Sequence, residues 1–135
     1  KIRDAVGDQI DIAIELHGRW DVASAMLIAK GLEPYNPIWI EDPIWFDYPA
    51  EMKQIVDHTS STIAAGENLG SFHRFTELVN GSGLGLVIAD QNFVGGITAT
   101  HRVAAPNLPN FQGSPPRTMR SFLRPFRNRY PSSSR

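Results

Sequence analysis

Three short apolar runs in this chain each end in a glutamate, and the glutamates are evenly spaced. Ile-Ala-Ile-Glu ends at Glu15, Ile-Trp-Ile-Glu at Glu41 and Ile-Ala-Ala-Gly-Glu at Glu67, with the same interval both times. A fourth run, Leu-Val-Ile-Ala-Asp, ends at Asp90, slightly short of that interval again. A period of this size holds one strand, one helix and two short loops. Acids that recur at the same end of successive parallel strands meet in space, which is how a (β/α) barrel assembles a site at the C-terminal mouth of its strands.

The segments between the acids fit that reading. Ile10, Ile12 and Ile14 alternate with Asp11, Ala13 and Glu15 over residues 10–16, a strand pattern. Asp21 is a plausible N-cap for a helix from Val22 to Lys30, with Gly31 as its stop. Residues 37–41 form the next strand, and Asp42-Pro43 closes it. Asp47 and Pro49 mark a second helix start, with Met52, Ile55 and Val56 on its apolar face. A third strand spans 62–66. Ser71 caps a third helix carrying Phe72, Phe75, Leu78 and Val79, and Gly81 ends it. A fourth strand spans 84–89, and Gly95-Gly96 leads into a fourth helix over 97–104. Residues 1–8 read as the end of an earlier helix.

Strict strand–helix alternation implies an α/β fold with a parallel sheet, here about four βα units, half of a TIM-type barrel. An open doubly wound sheet is the alternative. No Gly-x-Gly-x-x-Gly follows any strand, which argues against a dinucleotide fold.

All 14 acidic residues lie between Asp4 and Asp90, whereas residues 104–135 carry six arginines and no acid. Six prolines, from Pro106 to Pro131, break any helical or strand period there. The expected organisation is therefore a partial barrel over 1–104 and a Pro/Arg/Ser-rich tail over 105–135, either disordered or out of frame. The break falls in mid-helix, and a reading-frame shift near residue 104 accounts for the loss of acids and of periodicity together. The chain opens on Lys1 rather than Met, which suggests a missing beginning. It shows no signal-peptide pattern and no apolar run long enough to span a membrane. With no cysteine, disulfides and thiolate metal sites are excluded, in keeping with a cytoplasmic protein.

Parallel strands lie about 4.8 Å apart, so carboxylates on neighbouring strand ends converge. At about 5 Å and an effective dielectric of about 20, each pair repels by roughly 3 kcal/mol. A hard divalent ion removes that penalty, and all-oxygen ligation favours Mg²⁺, or Mn²⁺, over zinc. His17 follows Glu15 by two. If the strand persists, both share a face, and His17 is placed to move protons near neutral pH. Arg19 is a candidate for holding an anionic substrate. Trp20 and Trp45 follow strand ends and are candidates to wall a pocket, and Trp39 is expected in the core. His58, His73 and His101 read as surface or packing residues.

The segments Glu-Leu-His-Gly-Arg (15–19), Trp-Ile-Glu-Asp-Pro (39–43), Ala-Gly-Glu-Asn (65–68) and Asp90 with Val-Gly-Gly-Ile-Thr (94–98) resemble the catalytic barrel of the enolase superfamily. The nearest branch is the mandelate racemase/muconate lactonizing enzyme group, especially its sugar-acid dehydratases. The resemblance covers residues 1–103. It implies that Glu15, Glu41 and Glu67 ligate Mg²⁺, that His17 is the acid expelling the β-hydroxyl, and that Asp90 is the acidic half of a base whose histidine sits on a later strand. Aspartate is usual where Glu15 stands, one methylene shorter.

The implied function is that of a fragment of a Mg²⁺-dependent hydro-lyase converting a 2,3-dihydroxy acid to a 2-keto-3-deoxy acid. The fragment itself is expected to be inactive, and its parent a cytoplasmic homo-oligomer acting on small acid sugars. A racemase or cycloisomerase is the runner-up. Two further readings compete. In one, the basic tail, with Phe111, Phe122, Phe126 and Tyr130 among its arginines, makes the chain a nucleic-acid binder, which ranks well below the enzyme reading. In the other, a truncated scaffold pairs with a second chain to complete the barrel.

Overall fold

The structure is a computed structural model describing residues 1–104; the expectations for the 105–135 tail lie outside the described residues. After a short helix α1 (Ile2–Val6), strands β1 (Ala13–Glu15), β2 (Trp39–Glu41), β3 (Ile63–Ala65) and β4 (Leu86–Val87) alternate with helices α2 (Val22–Leu32), α3 (Pro49–His58) and α4 (Phe72–Ser82). Helices α5 (Gln91–Val94) and α6 (Ile97–Ala104) follow β4.

All three strand pairings are parallel, and the order in the sheet is the order in the chain, β1-β2-β3-β4. A doubly wound sheet reverses its strand order at a switch point; this sheet has no reversal. It forms four consecutive units of a (β/α) barrel, with β1 and β4 as its two edges.

Burial follows position in the sheet. Every residue of β3 is buried, as a strand flanked on both sides and both faces requires. Edge strand β1 is exposed at Ala13 and Glu15. The core is built from Ile40 and Ile63 of the sheet, Ala25 and Ala29 of α2, Met52 and Ile55 of α3, and Phe75 and Leu78 of α4. Each large aliphatic or aromatic side chain in it contributes about 1.5–3 kcal/mol. Helix α3 packs between α2 and α4.

The element boundaries differ from expectation in instructive ways. The strands are two or three residues long, because the chain on either side peels into loops with their own partners. The Arg3 guanidinium holds the carbonyls of Gly7 and Ile10, both at 2.8 Å, and draws the lead-in to β1 toward α1. Gly31 does not stop α2. The helix runs to Leu32 and through a 3₁₀ turn (Glu33–Tyr35) to Asn36, whose φ is 51°. That turn is held by Glu33, whose Oε1 accepts from the Ser60 amide (2.7 Å) and the Thr59 hydroxyl (2.9 Å).

Gly81 does not end α4 either. The helix closes at Gly83, φ 68°. Gly81 instead gives Pro49 room, since a Cβ there would lie 2.6 Å from Pro49 Cβ. Asp47 does not cap α3, which starts at Pro49 after an uncapped Tyr48. Its carboxylate instead accepts from Trp45 Nε1 (2.9 Å) and pairs with Arg74. The caps from Asp21 to the Ser24 amide and from Ser71 to the Arg74 amide form as expected.

Candidate metal centre

The sheet register brings the strand-end acids together. Glu15 and Glu41 are direct partners across β1 and β2. Glu41 also lies opposite Ala64, so the chain leaving β3 passes it and runs through Gly66 to Glu67. Gly66 has φ 117°, and a Cβ there would meet the Phe75 ring at 2.9 Å and the Ile88 carbonyl at 3.0 Å. Only glycine fits, and the turn it makes delivers Glu67 to the same mouth.

The three acids whose oxygens close to within 4.8 Å of one another are Glu41, Glu67 and Asp42. Asp42 is the residue that sequence reasoning missed. It is 4% exposed and adopts φ 40°. Asp-Pro at a strand end was legible as a turn, but a buried carboxylate there was not, because no periodicity encodes it. Burial pushes the Asp42 carboxyl up to about 6, and the charges of Glu15, Glu41 and Glu67 push the same way, against a stabilising hydrogen bond from the Gly66 amide. Glu41 is raised too, by burial first and then by Glu15 and Glu67, with the Trp39 indole opposing. The field of Glu15 therefore reaches both.

Trp39 is not the core residue it was expected to be. It is half-buried, and its Nε1 donates to Glu41 Oε2 at 3.0 Å, which orients that carboxylate.

His17 does not follow the strand path expected of it. The strand does not persist to it; His17 has φ 58° and Gly18 φ 65°. The reason is local bonding. The His17 amide donates to Glu15 Oε1 at 2.5 Å and the Gly18 amide to the Asp42 carbonyl at 2.7 Å. This turn leaves His17 Nδ1 3.8 Å from Glu15 Oε1, with both side chains exposed.

Trp45 lies over Gly18, where a Cβ would touch its ring at 2.9 Å, and stacks on Phe46. Trp45 and Trp20 are 44% and 47% exposed. Arg19 is exposed. Asp90 is half-buried and caps α5, its Oδ1 accepting from the Asn92 amide at 2.6 Å. His58, His73 and His101 are exposed, as expected.

The donor set fits a hard divalent cation. Every ligand atom on offer is a carboxylate oxygen, and two of the clustered acids are partly desolvated and raised by like charge. A cation relieves that repulsion, and Mg²⁺ suits all-oxygen ligation.

Comparison with known proteins bears on the fold that carries these residues. Residues 1–106 match the family described as enolase C-terminal domain-like. The chain is 34% identical over 105 residues to D-galactonate dehydratase of Pectobacterium atrosepticum, covering 78% of this chain and 28% of that protein. It is 33% identical over 104 residues to D-galactonate dehydratase of Klebsiella pneumoniae, covering 77% and 27%. The chain thus spans under a third of the length of the curated relatives it matches.

Among solved structures, L-talarate/galactarate dehydratase of Salmonella typhimurium superposes with a TM-score of 0.72 at 29% identity, over 76% of this chain and 26% of the other. A racemase of Streptomyces coelicolor with bound magnesium superposes with a TM-score of 0.73 at 32% identity, over 76% and 31%.

Proposed function

The chain belongs to the enolase C-terminal domain-like family, and on that premise we propose that it carries the metal-binding quarter of a Mg²⁺-dependent acid-sugar dehydratase. The observation that supports this most is the approach of Glu41, Asp42 and Glu67 to within 4.8 Å of one another, with burial and mutual repulsion raising Glu41 and Asp42; Glu15 stands in register beside Glu41 but outside that group. In this reading Glu15, Glu41 and Glu67 hold the ion. When bound, Mg²⁺ supplies Lewis-acid stabilisation of charge on a substrate carboxylate.

The chain's own residues do the rest. His17, beside Glu15 and open to solvent, donates the proton that a departing β-hydroxyl requires. Glu15 holds the loop that carries His17 through the 2.5 Å bond to its amide. Exposed Arg19 is the candidate to meet the anionic substrate. Asp90, tethered by the Asn92 amide, is the acidic half of the base. Among the described residues no histidine lies within ion-pair reach of it; His17 and His73 pair with Glu15 and Glu77. The chain is accordingly proposed to bind acid sugar and Mg²⁺ without turning the sugar over. Similarity to D-galactonate and L-talarate/galactarate dehydratases points to hexonate- or hexarate-type acids.

The test is calorimetric titration of the chain with D-galactonate at saturating Mg²⁺ and again without it. Mg²⁺-dependent binding that disappears in Glu41→Gln supports the reading. Binding indifferent to Mg²⁺, or none, overturns it. Release of a 2-keto-3-deoxy acid at a typical enzymatic rate of about 10 s⁻¹ would overturn the proposed inactivity. The similarity to a racemase favours a second reading, 1,1-proton transfer. It predicts α-proton exchange with D₂O and no loss of the β-hydroxyl in the intact relative carrying these residues.

A further inference from the structure

Asp42, just past the end of β2, bonds to β3 and to the loops that leave β1 and β3. Its amide donates to the Ala64 carbonyl of β3 at 2.9 Å. Its carbonyl accepts from the Gly18 amide, one residue past His17, at 2.7 Å. Its Oδ1 accepts from the Gly66 amide, one residue before Glu67, at 3.2 Å. The residue does this from a left-handed backbone (φ 40°) with its side chain out of solvent, a conformation that few residues other than Gly, Asn and Asp accept without strain.

Gly66 lies in a region of the backbone map that only glycine visits freely, so the peptide leading to Glu67 has wide conformational freedom unless something holds it. Among the described residues, the side-chain acceptor of its amide is Asp42.

We infer that Asp42 is a positioning residue: its carboxylate clamps the Gly66 amide and its carbonyl clamps the Gly18 amide, and together they fix the backbone from which Glu67 and His17 project. The Asp42 carboxylate lies within the acid cluster, but its Oδ1 is engaged by the Gly66 amide, so its role here is to orient the ligands beside it. Removing partners that orient metal ligands changes metal affinity by about 10–100-fold. The clamp itself is a property of the folded chain; only its consequence for the ion rests on the metal reading above.

Two substitutions isolate the hydrogen bond. Asp42→Asn and Asp42→Gly remove the same negative charge, and both replacements tolerate the left-handed backbone found at this position. Asn retains an oxygen that can accept the Gly66 amide, and Gly does not. The difference between the two variants therefore reports the acceptor, together with the side-chain volume and backbone restraint that glycine gives up; the Ile63 and Ala65 amides serve as the control for general loosening.

The first measurement is amide hydrogen exchange on the full chain without metal. Gly66 should exchange at least about tenfold faster in Asp42→Gly than in Asp42→Asn, with the Ile63 and Ala65 amides within about threefold of each other in the two variants. Equal Gly66 exchange in the two variants overturns the proposal. If Asp42→Gly does not fold, a second acceptor-free variant is read against Asp42→Asn. Asp42→Ala, which also lacks the acceptor, then takes the place of Asp42→Gly: Gly66 exchange at least about tenfold faster than in Asp42→Asn, with β3 unchanged, supports the clamp, and equal exchange overturns it.

The second measurement is Mn²⁺ binding by electron paramagnetic resonance, with Mg²⁺ as competitor. Asp42→Gly should bind at least about tenfold more weakly than Asp42→Asn. Equal weakening in both would mean that Asp42 acts through its charge, and the positioning role would be wrong. A parent chain that takes up no Mn²⁺ but shows the Gly66 exchange difference keeps the clamp and removes the metal reading.

Discussion

Glu15 and Glu41 face one another in register at the ends of two adjacent parallel strands, and burial, with the charge of Glu15 adding to it, holds the Glu41 carboxyl above its ordinary range. Two like charges at neighbouring strand ends, with Glu67 and Asp42 beside them, make a mouth that is electrostatically unfavourable until a cation enters it. That relationship connects the sheet register to function and gives the first prediction.

Glu41→Gln should raise the stability of the metal-free chain while weakening its response to Mg²⁺. The bare pair repulsion of roughly 3 kcal/mol at an effective dielectric of about 20 is reduced by solvent screening to about 1 kcal/mol for a half-exposed group. For a domain of this size that is a rise of about 4–8 °C in Tm. Glutamine keeps an oxygen for the Trp39 indole, so the 3.0 Å bond need not be lost. Thermal melts with and without Mg²⁺ check both halves: the substitution should raise the metal-free Tm and shrink the upward shift that Mg²⁺ produces in the parent chain. A lower metal-free Tm would show that the acids do not repel as the register implies.

Glu33 gives the pH prediction. Its carboxyl is held down to about 2, by the Ser60 amide first and then by Lys30 and the Thr59 hydroxyl. A depressed carboxyl stabilises the fold while it is ionised in both states, and the contribution disappears as protonation overtakes it. Stability from Glu33 is therefore complete above about 4.5, the ordinary value, and is lost as pH falls from there toward about 2. Urea midpoints for the parent chain and Glu33→Gln should differ at neutral pH and converge toward the low end of that window. A gap that stays constant over this range would mean that the contribution is packing rather than charge.

The order of strands and helices, the parallel sheet and the strand-end positions of Glu15, Glu41 and Glu67 were all legible, because an even glutamate period and apolar alternation report directly on βα units. What was not legible depends on contacts distant in sequence. Asp42 looked like half of an Asp-Pro turn, and only the arrival of Gly66 beside it shows a buried clamp. His17 was expected to point into the mouth by strand alternation; it sits instead in a left-handed turn bonded to Glu15 and Asp42. Helix α5 went unread because Asp90 was taken as a strand-end acid alone, although its side chain also caps that helix.

Gly66→Ala should be the most damaging glycine substitution. It forces a Cβ into the Phe75 ring and the Ile88 carbonyl at φ 117°. Backbone strain in that region is about 1–3 kcal/mol, and overpacking adds about as much again, so a loss of about 3 kcal/mol is expected. Urea unfolding should show a lowered midpoint with an unchanged m-value. Since Glu67 follows directly, Mn²⁺ affinity should fall in whatever fraction remains folded.

Gly31 and Gly81 were both read as helix stops, both lie inside helices, and their alanine substitutions should move stability in opposite directions. Gly31 sits in α2 with open space where a Cβ would go. Alanine there removes backbone freedom from the unfolded chain and meets nothing in the folded one, for a gain of about 0.5–1 kcal/mol. Gly81 sits in α4 against Pro49, where a Cβ would lie 2.6 Å from Pro49 Cβ. Helix propensity favours alanine by the same amount there. Relieving the overlap, however, means moving α4 away from the first turn of α3, an overpacking penalty of about 1–3 kcal/mol. Gly81→Ala should therefore be net destabilising by about 1 kcal/mol or more. Paired urea melts decide it: a stabilised Gly81→Ala would mean that α3 and α4 move apart at little cost.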